Sequence, residues 1–235
     1  MTIIEELRAY AICMLDPFTS DQIKEINAFL LNEPVYADAH VPQTARNRGV
    51  NSPQPRADAH EAECVCAHTD SAILAPHILE RGLQLTDIAA EYLQCDLPVA
   101  YSMNAFWTRP GTEPPRWDIQ EFHRDADDAR FLGLFVYLTD VLTLADGPHM
   151  LKCPDGITHT IYGPAGTAFL ADTSNPHCGL KPTSHERGFA WYRWGISEQP
   201  EANKWDQIQP IDKARLGARY PVNPMLQQSI RLLAV

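Results

Sequence analysis

Long hydrophobic runs are missing from this chain: nowhere do eighteen apolar residues follow one another, so no segment reads as a membrane-spanning helix. Basic charge is scarce as well, with 19 Lys and Arg against 30 Asp and Glu and a formal net charge of −11. That balance excludes a non-specific grip on nucleic acid, whose phosphates need clustered cations. Cysteine is sparse, six in 235 residues, too thin for a disulfide framework, and a reducing compartment would keep these residues as thiols. Repeats and low-complexity tracts are lacking too. The first ten residues carry acids where a secretory signal carries a basic stretch, and their apolar run is broken early. Together these absences lead us to expect a cytoplasmic protein.

What is present suits one domain, residues 1–235, with a sizeable core: 45% of the residues are hydrophobic and 21% charged, an ordinary globular balance. Residues 1–98 read as helices and loops outside a later β-core. Thr19 and Ser20 can cap a helix over 22–31, where Ile23, Ile26, Phe29 and Leu30 fall three or four apart and mark one buried face. A second helix is expected over 78–95 from the stripe Ile78, Leu79, Leu83, Leu85, Ile88, Ala89, Tyr92 and Leu93. Residues 36–60, with three prolines and little periodicity, read as a long loop of the kind that covers sites.

From Val99 the texture changes to short strands punctuated by Pro, Gly and Asp. Strands are expected over 99–108, 119–124, 131–139, 149–152, 158–162, 167–172 and 188–197, with turns at Pro110-Gly111, Asp146-Gly147, Asp155-Gly156 and Gly163-Pro164. Such a series argues for a mainly β jelly-roll or sandwich over 99–197, with flanking helices. Residues 198–235 form a C-terminal extension in which 224–233 has helical character.

Chemistry enters at His123-Arg-Asp125. On an extended strand residues i and i+2 share a face, so His123 and Asp125 can reach one ion while Arg124 points away. His177, in a turn much later in the chain, can supply a second imidazole. Two imidazoles and one carboxylate with positions left open make the facial triad of non-haem Fe(II) oxygenases. Arg187, opening a strand just after that turn, offers a guanidinium able to grip a carboxylate through paired hydrogen bonds.

The words around these residues carry a resemblance. The runs 117–125, 131–141, Asp146-Gly-Pro148, 166–172 and 177–187 together are similar to the phytanoyl-CoA dioxygenase-like branch of the Fe(II)/2-oxoglutarate oxygenases, over roughly 99–197. One word departs: that family commonly has Pro-Gly-Ser-His after its Gly-containing turn, and this chain reads Pro-Asp-Gly-Ile-Thr-His over 154–159. The resemblance implies a double-stranded β-helix (cupin-like) core. It implies Fe(II) on His123, Asp125 and His177, and 2-oxoglutarate with its distal carboxylate on Arg187; Ser184, three residues before Arg187, can add a hydroxyl donor to the same carboxylate. Gln120 and Asn104 stand where relatives often place supporting donors. The expected reaction consumes O₂, converts 2-oxoglutarate to succinate and CO₂, and hydroxylates an aliphatic carbon of a small molecule. Related halogenases lack the carboxylate that Asp125 supplies, which favours hydroxylation or desaturation.

Two readings from other classes stay open: a cupin-like metal hydrolase or isomerase using the same triad as a Lewis acid, and a non-catalytic binding protein with a vestigial site. A zinc site at His60, Cys64, Cys66 and His68 has poor spacing, and a loop with a short strand and buried thiols is the plainer reading. His149 and His159 fall where they could line the pocket mouth or sit exposed. Trp107, Trp117, Trp191 and Trp194 could shape a cavity or fill the roll. An anionic substrate follows if Arg109 or Arg193 points inward. Neither the substrate nor the oligomeric state is legible.

Overall fold

The structure is a computed structural model, and it describes residues 1–37, 54–60, 62–67, 72, 75–112 and 120–197. The expected helix over 224–233, most of the long loop, His68 and Trp117 lie outside them. Two antiparallel sheets face each other. The larger, in spatial order, is formed by β1 (Ile12–Leu15), β8 (Ala168–Ala171), β5 (Phe131–Tyr137), β10 (Arg187–Gly195), β4 (Val99–Thr108), β3 (Cys64–Ala67) and β2 (Tyr36–Ala37). The smaller is β7 (Thr158–Ile161), β6 (His149–Lys152) and β9 (His177–Gly179). This is the mainly β jelly-roll expected from the sequence, a double-stranded β-helix with helices on one side.

The central strands β4, β5 and β10 of the larger sheet are buried on both faces, and alternation sorts their side chains into two cores. Ala190, Tyr192 and Trp194 of β10 join Leu132, Leu134 and Val136 of β5 on the outer face, against the helices. Phe189 and Trp191 join Phe135, Tyr137, Phe106 and Phe169 between the sheets. Each such side chain withdrawn from water contributes on the order of 1.5–3 kcal/mol, which fixes the register of β10 against both neighbours.

The helices cover the outer face. In α1 (Ile3–Tyr10), Thr2 and Glu5 form a reciprocal capping box, and Ile4 and Leu7 turn inward. In α2 (Ser20–Leu30), Thr19 and Gln22 do the same, and Ile23, Ile26 and Leu30 are buried, as the spacing requires. The expected single helix over 78–95 is two: α3 (Ile78–Gln84) and α4 (Thr86–Leu93), broken at Leu85, which leaves helical backbone geometry. Gly82 explains how closely α3 can lie on the sheet, since a Cβ there would stand 2.9 Å from the Tyr192 ring. Among the described residues no helix is long and apolar enough to cross a membrane.

Two expectations need correction. Residues 1–98 are more than an outer layer: β1, β2 and β3 belong to the larger sheet, with Ile12 paired to Ala171 and Cys64 to Thr108. A strand over 119–124 does not form among the described residues. It is reduced to one antiparallel bridge, His123 to His177, with the backbone bending just before it at 121–122.

Candidate metal centre

Three segments bring the triad together. Backbone hydrogen bonds run both ways between His123 and His177, at 2.9 and 2.8 Å, so one ligand faces the other across a narrow antiparallel pair. The N–H of Asp125 donates to the carbonyl of Thr173 at 3.0 Å, pinning the third ligand to the turn before β9. His177 sits on β9 itself rather than in the turn expected from the sequence. The ligand atoms of His123, Asp125 and His177 all lie within 4.8 Å of one another, the only such group among the described residues. Asp125 Oδ1 is 3.5 Å from His123 Nε2, and its Oδ2 is 3.5 Å from His177 Nε2. Arg124 points away, donating to the Ser174 carbonyl at 2.6 Å.

Both imidazoles are oriented by backbone carbonyls. His123 Nδ1 lies 2.9 Å from the carbonyl of Glu121, and His177 Nδ1 lies 3.0 Å from that of Asn175. A carbonyl only accepts, so each Nδ1 donates and each Nε2 is the nitrogen turned toward Asp125, where an ion would sit. Burial lowers the His177 pKa, with His123 adding to the effect and Asp125 opposing it. Burial pulls His123 down too, but the contact with Asp125 and the Glu121 carbonyl outweigh it, and the net shift is upward. Burial alone would raise the Asp125 carboxyl; the Arg193 guanidinium and the two histidines override it and hold the group ionised, far below the usual carboxylate range.

The triad opens into a cavity of about 240 Å³ lined also by Asp127, Phe135, His149, Gly179, Arg187, Phe189, Trp191 and Arg193. Four of these, Arg187, Phe189, Trp191 and Arg193, alternate along β10, so one face of one strand supplies a cation, two aromatic walls and a second cation. Arg187 is 2% exposed, and among the described residues no carboxylate pairs with it. Its Nη1 donates to the carbonyls of Gly147 and Leu180, the latter at 2.8 Å. Its Nη2 has a long bond, 3.4 Å, to Thr108 Oγ1, and Nε has no partner among the described residues. Burial lowers the Arg187 pKa. A buried guanidinium with donors to spare is costly until an anion arrives, so this end of the cavity fits a carboxylate. Gly179 makes the room: a Cβ there would lie 3.1 Å from both Nη atoms and 3.2 Å from His149 Nε2.

His149 also lies inside, half-buried, its ring packed against Phe189 and Tyr137. Burial, with Arg187 and the two ligand histidines nearby, pushes its pKa far down. His159 stands away from the centre, its ring 5.9 Å from that of Tyr10.

The other expected site residues are placed differently. Ser184 is not in the cavity: its hydroxyl donates to Asp146 and lies 2.9 Å from His185 Nδ1, which ties down the turn before Arg187. Gln120 and Asn104 are buried but do not line the cavity; Asn104 Nδ2 donates to Ser102 Oγ at 3.2 Å. Arg109 is spent on Glu186 and the His60 carbonyl. Arg193 does point inward, yet its charge is taken by Asp125 and Asp127, so neither arginine waits for an anionic substrate. Trp191 lines the cavity, whereas Trp107 and Trp194 fill the outer core. Cys64 and Cys66 are buried thiols on β3, without a metal-binding geometry among the described residues. Asp127 also lines the cavity and pairs with Arg193, and its position two beyond Asp125 is the only sequence signal for it.

The fold and the cluster define a class: a double-stranded β-helix carrying two imidazoles and a carboxylate at its mouth. No protein-family model and no curated protein sequence matches the chain. Solved structures of similar fold include HygX from Streptomyces hygroscopicus with nickel and 2-oxoglutarate bound, at a TM-score of 0.59 and 8% identity over 84% of this chain and 88% of that one. The non-heme alpha ketoglutarate dependent carbocyclase SnoK from nogalamycin biosynthesis gives 0.56 and 12%, over 82% of each chain. The nickel complex of the non-heme monooxygenase ThoJ gives 0.52 and 18%, over 82% of this chain and 76% of that one. At these identities the likeness is one of fold.

Proposed function

We propose that this protein is an Fe(II)- and 2-oxoglutarate-dependent oxygenase that hydroxylates an aliphatic carbon of a small molecule. One observation carries the reading: a buried guanidinium without a carboxylate partner among the described residues shares a small cavity with a His/Asp/His cluster whose two Nε2 atoms converge on the Asp125 carboxylate. A metal hydrolase or isomerase would leave Arg187 without a purpose at the metal. Enzymes of this fold described as using alpha ketoglutarate, or binding 2-oxoglutarate with a metal, make the cosubstrate the natural occupant.

His123 Nε2, His177 Nε2 and one Asp125 oxygen would hold the iron on one face, leaving positions for two atoms of the keto acid and for O₂. When bound, iron and 2-oxoglutarate supply oxidising power from O₂, releasing succinate and CO₂ as one oxygen atom enters a C–H bond of the substrate. The Arg187 fork orients the keto acid by its distal carboxylate. The wall of Phe135, Phe189 and Trp191 excludes water from the reacting centre. The carboxylate of Asp125 occupies the position that halogenases leave to halide, which favours hydroxylation.

The test is anaerobic addition of Fe(II) and 2-oxoglutarate. A weak visible charge-transfer band is expected, and succinate release under air should rise with the true substrate. His177→Ala should lose both while keeping the wild-type circular dichroism. A wild-type protein without the band, or succinate formed at normal rate by His177→Ala, would overturn the assignment.

A further inference from the structure

Arg193 is the second cation of the cavity, and the reaction as described gives it no task. Its Nη2 donates to Asp125 Oδ2 at 2.8 Å, and its Nη1 donates to Asp127. Asp127 in turn accepts from the Tyr101 hydroxyl at 2.7 Å. The side chains of Arg193 and Asp127 are only 11% and 13% exposed, and the guanidinium lies over the Trp191 ring, 4.9 Å from its centroid. The network is therefore built and rigid: Tyr101 fixes Asp127, Asp127 fixes Arg193, and Arg193 holds one named oxygen of a metal-ligand candidate.

We propose that Arg193 is a positioning residue that makes Asp125 a one-oxygen ligand, keeping Oδ2 for itself and presenting Oδ1 to the metal, so that three coordination positions stay open. This rests on the oxygenase reading above. A carboxylate freed of Arg193 can turn both oxygens onto one ion. It would then fill four positions together with the two imidazoles. The keto acid would take the remaining two, and none would be left for O₂. The third open position is thus kept by an arginine that does not touch the metal.

The wild-type protein supplies one test. A crystal structure with nickel bound should show Asp125 Oδ1 alone on the metal and Oδ2 still on Arg193; two carboxylate oxygens on the metal would overturn the proposal. The second test uses Arg193→Met and, because that change strands buried Asp127, the double variant Arg193→Met with Asp127→Asn. With Fe(II) and 2-oxoglutarate under anaerobic conditions, both should keep the charge-transfer band. Nitric oxide, a surrogate for O₂, should bind at least tenfold more weakly than in the wild type, read from the electron paramagnetic resonance signal of the nitrosyl complex. Arg193→Lys, which can hold Oδ2 through one ammonium, should recover part of that loss. Nitric oxide binding at wild-type strength in the folded double variant would refute the role. Failure of the wild type to form the 2-oxoglutarate band would instead refute the oxygenase reading, and the nickel structure would still decide what Arg193 does.

Discussion

Replacing Arg187 by Met should separate binding from stability, because the two respond with opposite signs. In the wild type the guanidinium is buried without a carboxylate, so the protein without cosubstrate bears its desolvation cost. Methionine fills a similar volume and removes that cost, of several kcal/mol, while depriving the Gly147 and Leu180 carbonyls of a donor at about 1–3 kcal/mol each. The terms nearly cancel, so the melting temperature without ligand should stay within a few degrees of wild type, at about 2–4 °C per kcal/mol for a chain of this size. With 2-oxoglutarate the balance is one-sided. A charge-assisted, two-pronged contact in a dry site is lost, at about 3–4 kcal/mol, which is about 10²–10³-fold in dissociation constant. Isothermal titration of 2-oxoglutarate into nickel-loaded protein measures it, and differential scanning calorimetry measures the other half. A variant that melts ten degrees lower yet binds 2-oxoglutarate normally would show Arg187 to be a structural clamp, and the argument would fail.

Other expectations follow from the same geometry. Gly179→Ala puts a methyl group 3.1 Å from both Arg187 Nη atoms, so 2-oxoglutarate affinity should fall about tenfold, the cost of a crowded contact of 1–3 kcal/mol, while metal affinity is unchanged by titration. Nickel at a hundred times its dissociation constant should stabilise the fold by about 2.7 kcal/mol in a thermal melt, and His123→Ala should abolish the gain. Acidification should cost stability through His149. Its pKa in the fold lies far below the ordinary 6.5, so under acid the unfolded chain takes up a proton that the native state refuses. Stability therefore falls as pH drops below 6.5, and His149→Gln should flatten that slope in melts from pH 7 to pH 5.

Much of the architecture is legible in the sequence where one period dominates. Val99–Thr108 and His149–Lys152 form at their expected bounds, and the Thr19 cap starts α2, because turn residues and apolar spacing agree there. The break at Leu85 is hidden, since the apolar stripe runs through it unchanged. Strand β1 escapes notice because Ile12–Leu15 is short and gains its identity only by pairing with Ala168–Ala171. The triad can be anticipated from residue types and order, but not how its members meet, since a single bridge replaces a strand. Ser184 was expected beside Arg187 from its nearness in sequence, yet the competing acceptor, Asp146, is reached only through the fold. The sequence leaves open whether Arg193 points inward, and that two aspartates neutralise it is seen only in the fold.

The bridge between His123 and His177 ties the site to the correctness of folding. A strand pair that slips by one residue turns every side chain to the opposite face, so a misaligned edge would rotate the imidazoles apart and leave no grip. If an ion binds there as proposed, its uptake would be a proofreading signal: the fraction of molecules that retain metal would count those whose strands have found their proper partners.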